Sequence, residues 1–532
     1  MTDTLSPARK WSITVCVMLV TIMQILDTSV TNVALPHMRG SLSASVEEIT
    51  WALTLYLAAN AVVIPATGWL TGLLGRRRFF LIVTTLFMAS SFMSGLAPTL
   101  DTLILARIFQ GLGAGPIIPL SQAVLWEIFP LHQRGVATAV WGIGVMFGPI
   151  VGPTLGGWIV DNWSWRWIFY INLPIGAVAL IMGHFFVFDS PWGRRPQRVD
   201  WAGLALMTVG FGALQLFLDR GERDEWFDST LILALAVVAV AALLAFLIRE
   251  LTAAEPILDL GAFADRNFAV GTMMIAGVGL TLNSSMMLMA LYTQQVLGYD
   301  AWTAGTVLAP GGLGNMAALI LAGRLVVRAD QRVLLAFGCS FMAIGAWVMA
   351  SVTRGVDYWW LVWPRFVQGF GTGFVFVPLA TMALATVPKE KLPNATACFN
   401  VVRNLGASVG IAVVATLLAR RSQFHQATLS EHMNAWDPEL TAWLGDLTRR
   451  FAAEGADPHT AARQAMATLY RATVEQAHVL AYADDFWLLT VVSVVMLAFI
   501  PFLHRVRLAD PRVSPSSAGG REGPSGPVVT EG

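Results

Sequence analysis

The stretches LARIFQGLGAGP (residues 105–116) and GVMFGPIVGPTLGG (residues 144–157) decide the fold of this chain. The first places Arg107 inside an apolar, glycine-rich segment. Because an ionised side chain is costly to bury in lipid, Arg107 is expected to face a protein interior or a water-filled one. The second repeats glycine every four residues, a spacing that lines one helix face and lets another backbone approach closely. Its small and cyclic residues are Gly144, Gly148, Pro149, Gly152, Pro153, Gly156 and Gly157.

Ordinary helix packing is a simpler interpretation, because stripes of small residues are common wherever membrane helices meet. The alternating glycines at 111–115 could also be taken for a nucleotide-binding loop. No predicted strand precedes them, however, and their spacing differs from the dinucleotide fingerprint. A buried charge beside a close-packed helix favours a protein that moves and carries ions.

Composition places the chain among membrane proteins. Of its 532 residues, 56% are hydrophobic and only 13% are charged. The formal net charge is zero, so no overall basic field favours nucleic acid as a partner. The three cysteines lie far apart in apolar segments, without metal or disulfide spacing.

Apolar runs of membrane-spanning length recur from end to end and predict an all-α membrane protein with 14 transmembrane helices. The predicted spans are 11–35, 50–71, 79–97, 101–126, 136–160, 166–188, 200–219, 230–248, 268–291, 302–326, 332–352, 359–386, 398–419 and 486–504.

The basic residues of the loops predict the orientation. One set of span ends carries most of them, including Arg76, Arg134 and Lys391, while the other set carries few. Since cytoplasmic loops of membrane proteins are enriched in lysine and arginine, both termini are predicted to be cytoplasmic, with residues 1–10 as a short N-terminal segment.

An internal repeat divides the chain. Arg107, Gln110, Gly111, Gly113 and Gly115 match, 258 residues later, Arg365, Gln368, Gly369, Gly371 and Gly373. We therefore predict two six-helix bundles in the same orientation, at 11–188 and 268–504, with a helix pair inserted at 200–248. Parallel repeats of this kind, with a substrate site between them, are a transporter architecture.

Two segments are predicted to lie outside the membrane. Residues 421–485 form one long outer (periplasmic) loop of mixed charge, with helix-forming stretches such as 459–480. It is either a poorly ordered connector or, as its length favours, a docking surface. The tail at 511–532 is rich in proline, glycine and serine and is predicted to be disordered.

Asp27 and Arg107 are predicted to lie at similar depth. At ~1.5 Å per residue, Asp27 sits about 12 Å and Arg107 about 9 Å below the outer ends of their helices. An apolar site favours a neutral carboxyl, whereas a neighbouring arginine favours an ionised one. Their competition would let Asp27 bind and release a proton; the alternative is a static structural ion pair.

Four stretches resemble the major facilitator superfamily, in its fourteen-helix drug:proton antiporter group of the EmrB/QacA type, and most of all the EmrB branch. They are LDTSVTNVALP (26–36), LARIFQGLGAG (105–115), the glycine-rich 144–157 and the long segment before the last span. The resemblance assigns motif residues on three helices. These are Asn32 and Pro36 on the first, Gln110, Gly111 and Gly115 with Arg107 on the fourth, and the residues named above at 144–157 on the fifth, as the antiporter motif.

The loop between spans 2 and 3 departs from the superfamily pattern Gly-x-x-x-Asp-Arg-x-Gly-Arg-Arg. This sequence has Gly72 where the aspartate belongs. The resemblance therefore carries over only Gly68, Gly75, Arg76 and Arg77 to a cytoplasmic gate, and the charge partner of its arginines stays open.

The resemblance implies a proton-driven exporter of amphipathic or lipophilic compounds in the bacterial cytoplasmic (inner) membrane. A periplasmic adaptor of the membrane-fusion type and an outer-membrane channel would be its partners. Two alternatives remain: a dedicated exporter of one natural product or fatty acid, and a membrane receptor or scaffold that keeps the fold without transport.

No enzyme chemistry is predicted. The sequence has no Gly-x-x-x-x-Gly-Lys-Ser/Thr phosphate loop and no His-Glu-x-x-His or Cys-x-x-Cys metal pattern. The expected energy source is the proton gradient, and no cofactor is expected.

Overall fold

The computed structural model describes residues 6–130, 133–189, 200–253, 256–388, 390–431, 433 and 436–506. Within these ranges every regular element is a helix. The tail predicted at 511–532 and the side chains of Pro149 and Pro153 lie outside the described part.

The first half contains nine helices that make six spans. Three of these spans are broken: α2 and α3 meet at a 62° bend, α5 and α6 join at Gly115–Pro116, and the short α8 precedes α9. The helices are α1 Pro7–Ser41, α2 Val46–Val63, α3 Thr67–Leu74, α4 Arg76–Leu96, α5 Leu100–Ala114, α6 Ile117–Ile128, α7 Arg134–Asn162, α8 Trp167–Tyr170 and α9 Asn172–Phe186.

An inserted pair and the second half follow. The helices are α10 Trp201–Arg220, α11 Thr230–Thr252, α12 Arg266–Leu291, α13 Ala301–Leu325, α14 Gln331–Met349, α15 Tyr358–Ala385, α16 Leu392–Glu431, α17 Pro438–Ala453 and α18 Pro458–Phe499. Among the described residues, thirteen helices are long and apolar enough to cross a membrane, and the bent pair α2–α3 makes a fourteenth. The predicted all-α fold with fourteen spans is confirmed.

Local sequence explains where many of these helices begin. Ser45 and Glu48 form a reciprocal capping box at the start of α2, and Thr99 and Thr102 do the same at α5. Asp300 accepts a hydrogen bond from a backbone amide in the first turn of α13. Each cap satisfies amide groups that a helix start otherwise leaves unpaired.

The apolar core is shared by the two halves at one end only. At the end with the basic loops, a single cluster joins residues of both halves, and the rings of Trp141 and Phe376 stack across them at 5.5 Å between centroids. At the opposite end each half has its own cluster, one around Val30 and Phe169 and the other around Tyr292. The structure is therefore closed at the basic end.

The inserted pair is peripheral. Its α10 packs against α2 and α16, with Thr54 hydrogen-bonded to Asp219 and Ser408 Oγ donating to Gln215 Oε1 at 3.0 Å. Its α11 packs chiefly on α10 and exposes most of its apolar side chains. The pair therefore flanks the two bundles without entering the space between them.

The segment predicted as a loop at 421–485 is instead largely helical. α16 continues to Glu431, α17 follows, and α18 begins at Pro458 and runs without a break into the last span. Asp484 ties the two long helices, accepting from Arg421 Nε at 2.6 Å and lying 2.7 Å from His425 Nε2. Hydropathy predicts where the membrane-embedded part of a helix ends, but it does not predict where the helix itself ends. Here α16 and α18 both continue well beyond their apolar segments.

Candidate functional site

A buried polar network surrounds the carboxylate of Asp27 in α1. Its Oδ2 accepts a hydrogen bond from Arg107 Nη1 of α5 at 2.7 Å. Its Oδ1 accepts from Gln110 Nε2 at 2.9 Å and from Asn172 Nδ2 of α9 at 2.7 Å. The Asp27 and Arg107 side chains are both 0% exposed. The structure thus brings together the two charges whose depths were predicted to match.

Arg107 is held by a ring as well as by hydrogen bonds. Its Nη1 also donates to Gln110 Oε1 at 2.7 Å, and its guanidinium carbon lies 4.0 Å from the centre of the Tyr56 ring. Its Nε and Nη2 have no hydrogen-bond partner among the described residues. A cation stacked on an aromatic face is stabilised without using its donors. The Nε and Nη2 atoms of Arg107 therefore remain able to donate further hydrogen bonds.

Gly111 and Gly115 allow the ring-bearing helix to approach. A Cβ at Gly111 would overlap the backbone carbonyl of Tyr56, and one at Gly115 would overlap that of Asn60. Any larger residue would therefore separate α5 from α2 and move the ring off Arg107. These motif glycines therefore act on the site by letting α5 and α2 pack closely, and they contribute no chemical group to it.

Asn172 is a site residue that sequence reasoning missed. It opens α9 immediately after the break at Ile171, and its amide also donates to Ser91 Oγ at 3.0 Å. An asparagine inside a predicted span was the available signal, since a polar side chain in lipid needs a partner. With Asn172, the carboxylate of Asp27 has three donors, an arrangement that suits its ionised form. Protonation would remove an acceptor and leave Arg107 without its counter-ion.

Gly144, Gly148, Gly152 and Gly156 form a glycine stripe on α7 that lies against α1. A Cβ at Gly148 would be 2.9 Å from the Ile25 carbonyl carbon, one at Gly152 would be 2.5 Å from Ser29 Cβ, and one at Gly156 would be 3.2 Å from Val30 Cα. A Cβ at Gly144 would overlap Met18. Among the glycines of the predicted antiporter motif, only Gly157 lies off this contact, since a Cβ there would meet nothing within 4 Å.

This contact gives a prediction for leucine substitutions. Gly148→Leu and Gly152→Leu should each reduce export strongly at unchanged expression, because leucine would push α1 away from α7 and displace Asp27. Gly157→Leu on the same helix is the matched control and should export normally. Efflux of a fluorescent dye from cells measures all three. Normal efflux from both α1-facing variants would contradict a role for the contact.

Two motif residues of the first helix lie apart from the network. Asn32 and Pro36 are exposed on α1, toward its far end, and neither contacts Asp27. The resemblance assigned them to a motif, and the structure does not bring them to the site.

The predicted cytoplasmic gate has a charge partner on α6. Arg76 forms a buried salt bridge with Glu127, the role left open by Gly72. Gly75 has a φ of +80°, a backbone conformation that favours glycine, and the backbone amide two residues later, of Arg77, donates to Asp189 Oδ1 at 3.0 Å. The carboxylates of the gate therefore come from the ends of other helices.

Gly68 connects this gate to the second half. A Cβ at Gly68 would lie 2.8 Å from Asn394 Cα, so α3 and α16 touch backbone to backbone. Six residues further along α16, Asn400 Nδ2 donates to Gln122 Oε1 of α6 at 2.6 Å. The halves are thus joined by polar contacts as well as by apolar packing at the basic end.

The repeat places Arg365 in the second half as Arg107 stands in the first, but no described acidic residue pairs with it. Ser285 occupies the position equivalent to Asp27, 258 residues later. Arg365 Nη1 donates to Ser285 Oγ at 2.8 Å and to Gln368 Oε1 at 2.7 Å. One half therefore carries a neutralised arginine and the other a cation bound only to neutral oxygens.

Asp485 is a buried acid that the predicted spans excluded, since the last one began at 486. Its side chain is fully buried in α18 beside Tyr482, and neither carboxyl oxygen has a hydrogen-bond partner among the described residues. It belongs to the separate core of the second half and lies outside the Asp27 network.

Two repeated bundles with a buried acid–arginine pair in one of them define a secondary transporter. The sequence matches the model of the Major Facilitator Superfamily over residues 17–411, and the chain belongs to this family. It is therefore a transporter and not an enzyme. The family prediction, including the likeness to the EmrB branch, is confirmed.

Relatives cover most of the chain. The Multidrug export protein EmrB of Escherichia coli (strain K12) is 35% identical over 499 residues, covering 94% of this chain and 96% of that protein. The Probable multidrug resistance protein EmrY of the same strain is 38% identical over 435 residues, covering 82% and 85%. The Fatty acid resistance protein FarB of Neisseria gonorrhoeae is 36% identical over 450 residues, covering 84% and 88%.

Solved structures share the fold alone. The proton:xylose symporter XylE superposes with a TM-score of 0.57 at 16% identity, covering 92% of this chain and 95% of that one. The human organic anion transporter MFSD10 gives 0.59 at 12% identity, covering 92% and 100%.

Proposed function

We propose that this protein exports amphipathic or lipophilic toxic compounds in exchange for protons. The observation that carries the proposal is the Asp27 carboxylate, which is buried, ion-paired and held by three donors. The names of the relatives support the export of drugs or fatty acids. A scaffold without transport would have no use for an ion pair that is costly to bury.

The contacts suggest how proton binding would move the protein. Asp27 lies on α1 between Ile25 and Ser29, the residues that touch the glycine stripe of α7. α7 in turn packs on α13 of the second half, with Gly142 against Leu319. Loss of the ion pair would let α1 shift, and the shift would reach the interface of the two halves through close backbone contacts.

The test of exchange uses the intact protein in proteoliposomes loaded with a pH-sensitive dye. Adding an exported compound should drive protons in the opposite direction, and an imposed pH gradient should drive uphill transport of the compound. Transport that proceeds without any proton movement would contradict the proposal.

The proposed location is the bacterial inner membrane, with both termini in the cytoplasm. The extension formed by the outer part of α16, by α17 and by the start of α18 would then project into the periplasm. Alkaline phosphatase, which is active only outside the cytoplasm, should be active when fused after Gly445 and inactive when fused after Val506. The reverse result would invert the topology.

The extension is the proposed docking surface for a periplasmic adaptor that leads to an outer-membrane channel. α17 has no buried residue among those described, and aromatic side chains stand on the surface of the extension. Trp436 is 88% exposed and Tyr470 is 64% exposed. Exposed aromatic residues are enriched in protein interfaces, whereas a mere connector has no need of them.

Replacing residues 432–457 by a Gly/Ser linker should separate the two activities. Exchange in proteoliposomes should continue, because substrate and protons use only the membrane helices, while resistance and co-purification of an adaptor should be lost. Trp436→Ala combined with Trp443→Ala should act in the same direction, with Glu439→Ala, on the helix that carries Trp443, as the control. If the linker variant protects cells as the intact protein does, the extension is only a connector.

A second candidate function, the dedicated export of one natural product or fatty acid, is favoured by a specific observation. Arg365 has no acidic partner in the described part of the chain, and it lies on a cavity between the halves.

A further inference from the structure

A small cavity lies where α7 of the first half meets α12, α13 and α15 of the second. Arg365 and Gln368 line one side, and among the described residues Arg365 is the only charged side chain in the lining. Apolar side chains, including Met146, Ile150 and Met286, form most of the rest. Its volume of about 20 Å³ admits a water-sized group, so this closed conformation has room for part of a head group and no more.

The positive charge of Arg365 is not balanced by an acidic side chain among the described residues. It is 4% exposed, and the two acceptors of its Nη1 are the neutral oxygens of Ser285 and Gln368. Its Nε and the Gln368 Nε2 have no hydrogen-bond partner among the described residues. A buried cation without a counter-ion is costly, and the equivalent Arg107 avoids that cost through Asp27. An anion entering the cavity would supply the missing charge and accept from the free donors.

We infer that this cavity takes the anionic head group of a single-chain amphiphile, such as a long-chain carboxylate, as exported substrate. This inference deepens the proposed export function and rests on it for the direction of transport. A carboxylate suits the guanidinium because both are planar and can pair through two hydrogen bonds. The methionines suit an apolar chain of variable shape, since the thioether side chain is flexible and polarizable.

The same geometry selects against cations. A positively charged head group in the cavity would be repelled by Arg365 and would find no carboxylate in the described lining. Compounds with the same chain should therefore bind in the order anion, neutral, cation.

Binding can be measured without a proton gradient, on the full chain in phosphatidylcholine nanodiscs with laurate, dodecanol and dodecyltrimethylammonium. The intact protein should prefer laurate. Arg365→Gln should weaken laurate at least tenfold and leave dodecanol unchanged, while Arg365→Lys, which keeps the charge but not the planar pair of donors, should retain part of the affinity. Arg403→Gln is the matched control, because it removes a second-half arginine that lies over Trp141, outside the lining.

Ser285→Asp is the sharper variant, since it copies the ion pair of the first half onto the second. Arg107 follows Asp27 by 80 residues, and Arg365 follows Ser285 by the same number. The new carboxylate should therefore neutralise Arg365 without disturbing the fold. It should abolish the preference for laurate over dodecanol. Unchanged laurate affinity in both Ser285→Asp and Arg365→Gln, or a preference for the cation, would overturn the inference.

Two further measurements, lipid competition and proton-coupled transport, distinguish failure of this inference from failure of the proposed function. If phosphatidylglycerol in the nanodisc displaces laurate, the site belongs to a membrane lipid and the substrate assignment is wrong. If the protein exchanges dodecyltrimethylammonium for protons but binds no laurate, the inference falls and the proposed function stands. If laurate binds through Arg365 and no gradient drives its export, the proposed function falls and the anion site stands.

Discussion

Asp27→Asn is expected to reduce gradient-driven export to background. Asparagine has nearly the shape of aspartate but cannot carry a proton, so the exchange loses its coupling group. The measurement is dye efflux from right-side-out vesicles under an imposed pH gradient. Full gradient-driven efflux in the variant would rule out Asp27 as the coupling carboxylate.

The Asp27→Asn variant should also be less stable than the intact protein. From the sequence alone the variant is expected to insert and fold, because the substitution removes a buried charge. The structure changes this expectation, since the charge is half of an ion pair and its loss leaves Arg107 uncompensated, at a cost of roughly 3–5 kcal/mol. Substrate exchange without a gradient controls for folding and should persist. Asp27→Glu, which keeps the acid, should retain part of the coupling.

Arg107→Lys is expected to be nearly as damaging as loss of the acid. The guanidinium donates from one nitrogen to both Asp27 and Gln110 while its plane lies on the Tyr56 ring. An ammonium is a compact, strongly hydrated charge that cannot reproduce this planar arrangement. We expect export to fall by roughly tenfold or more, corresponding to about 1.4 kcal/mol per decade. Wild-type transport by Arg107→Lys would mean that any cation suffices.

Arg166→Lys is the matched control for that substitution. Arg166 directly precedes α8 in the same half and donates to the backbone carbonyls of Gly95 and Ala97. Its replacement should leave export close to normal, so a specific loss at Arg107 cannot be ascribed to changing any arginine of the bundle.

The contact of Asp27 with Arg107 was predictable because helix rise is constant. Both residues lie in continuous helix close to a span end, so counting residues gave their depths. Asn172 escaped the same reasoning, since the break between α8 and α9 decides which way its side chain points. Neither composition nor periodicity fixes the geometry of such a break.

The gate partner escaped for a related reason. Hydropathy ended the fourth span at 126 and assigned Glu127 to a polar turn, but α6 continues to Ile128 and keeps Glu127 buried against Arg76. Arg365 is a case of the opposite kind. The repeat identified Arg365 from the sequence. That Ser285 stands where the first half has its acid became meaningful only when the structure showed the two side chains in contact.

The unbroken course of α18 has a mechanical consequence. At ~1.5 Å per residue, the 27 residues from Pro458 to Asp484 form an arm of about 40 Å continuous with the last span. Any tilt of the second bundle during transport would sweep the far end of this arm through a wide arc, with Asp484 bracing its base against α16. A protein bound at the far end of the extension would therefore be displaced whenever the second bundle tilts.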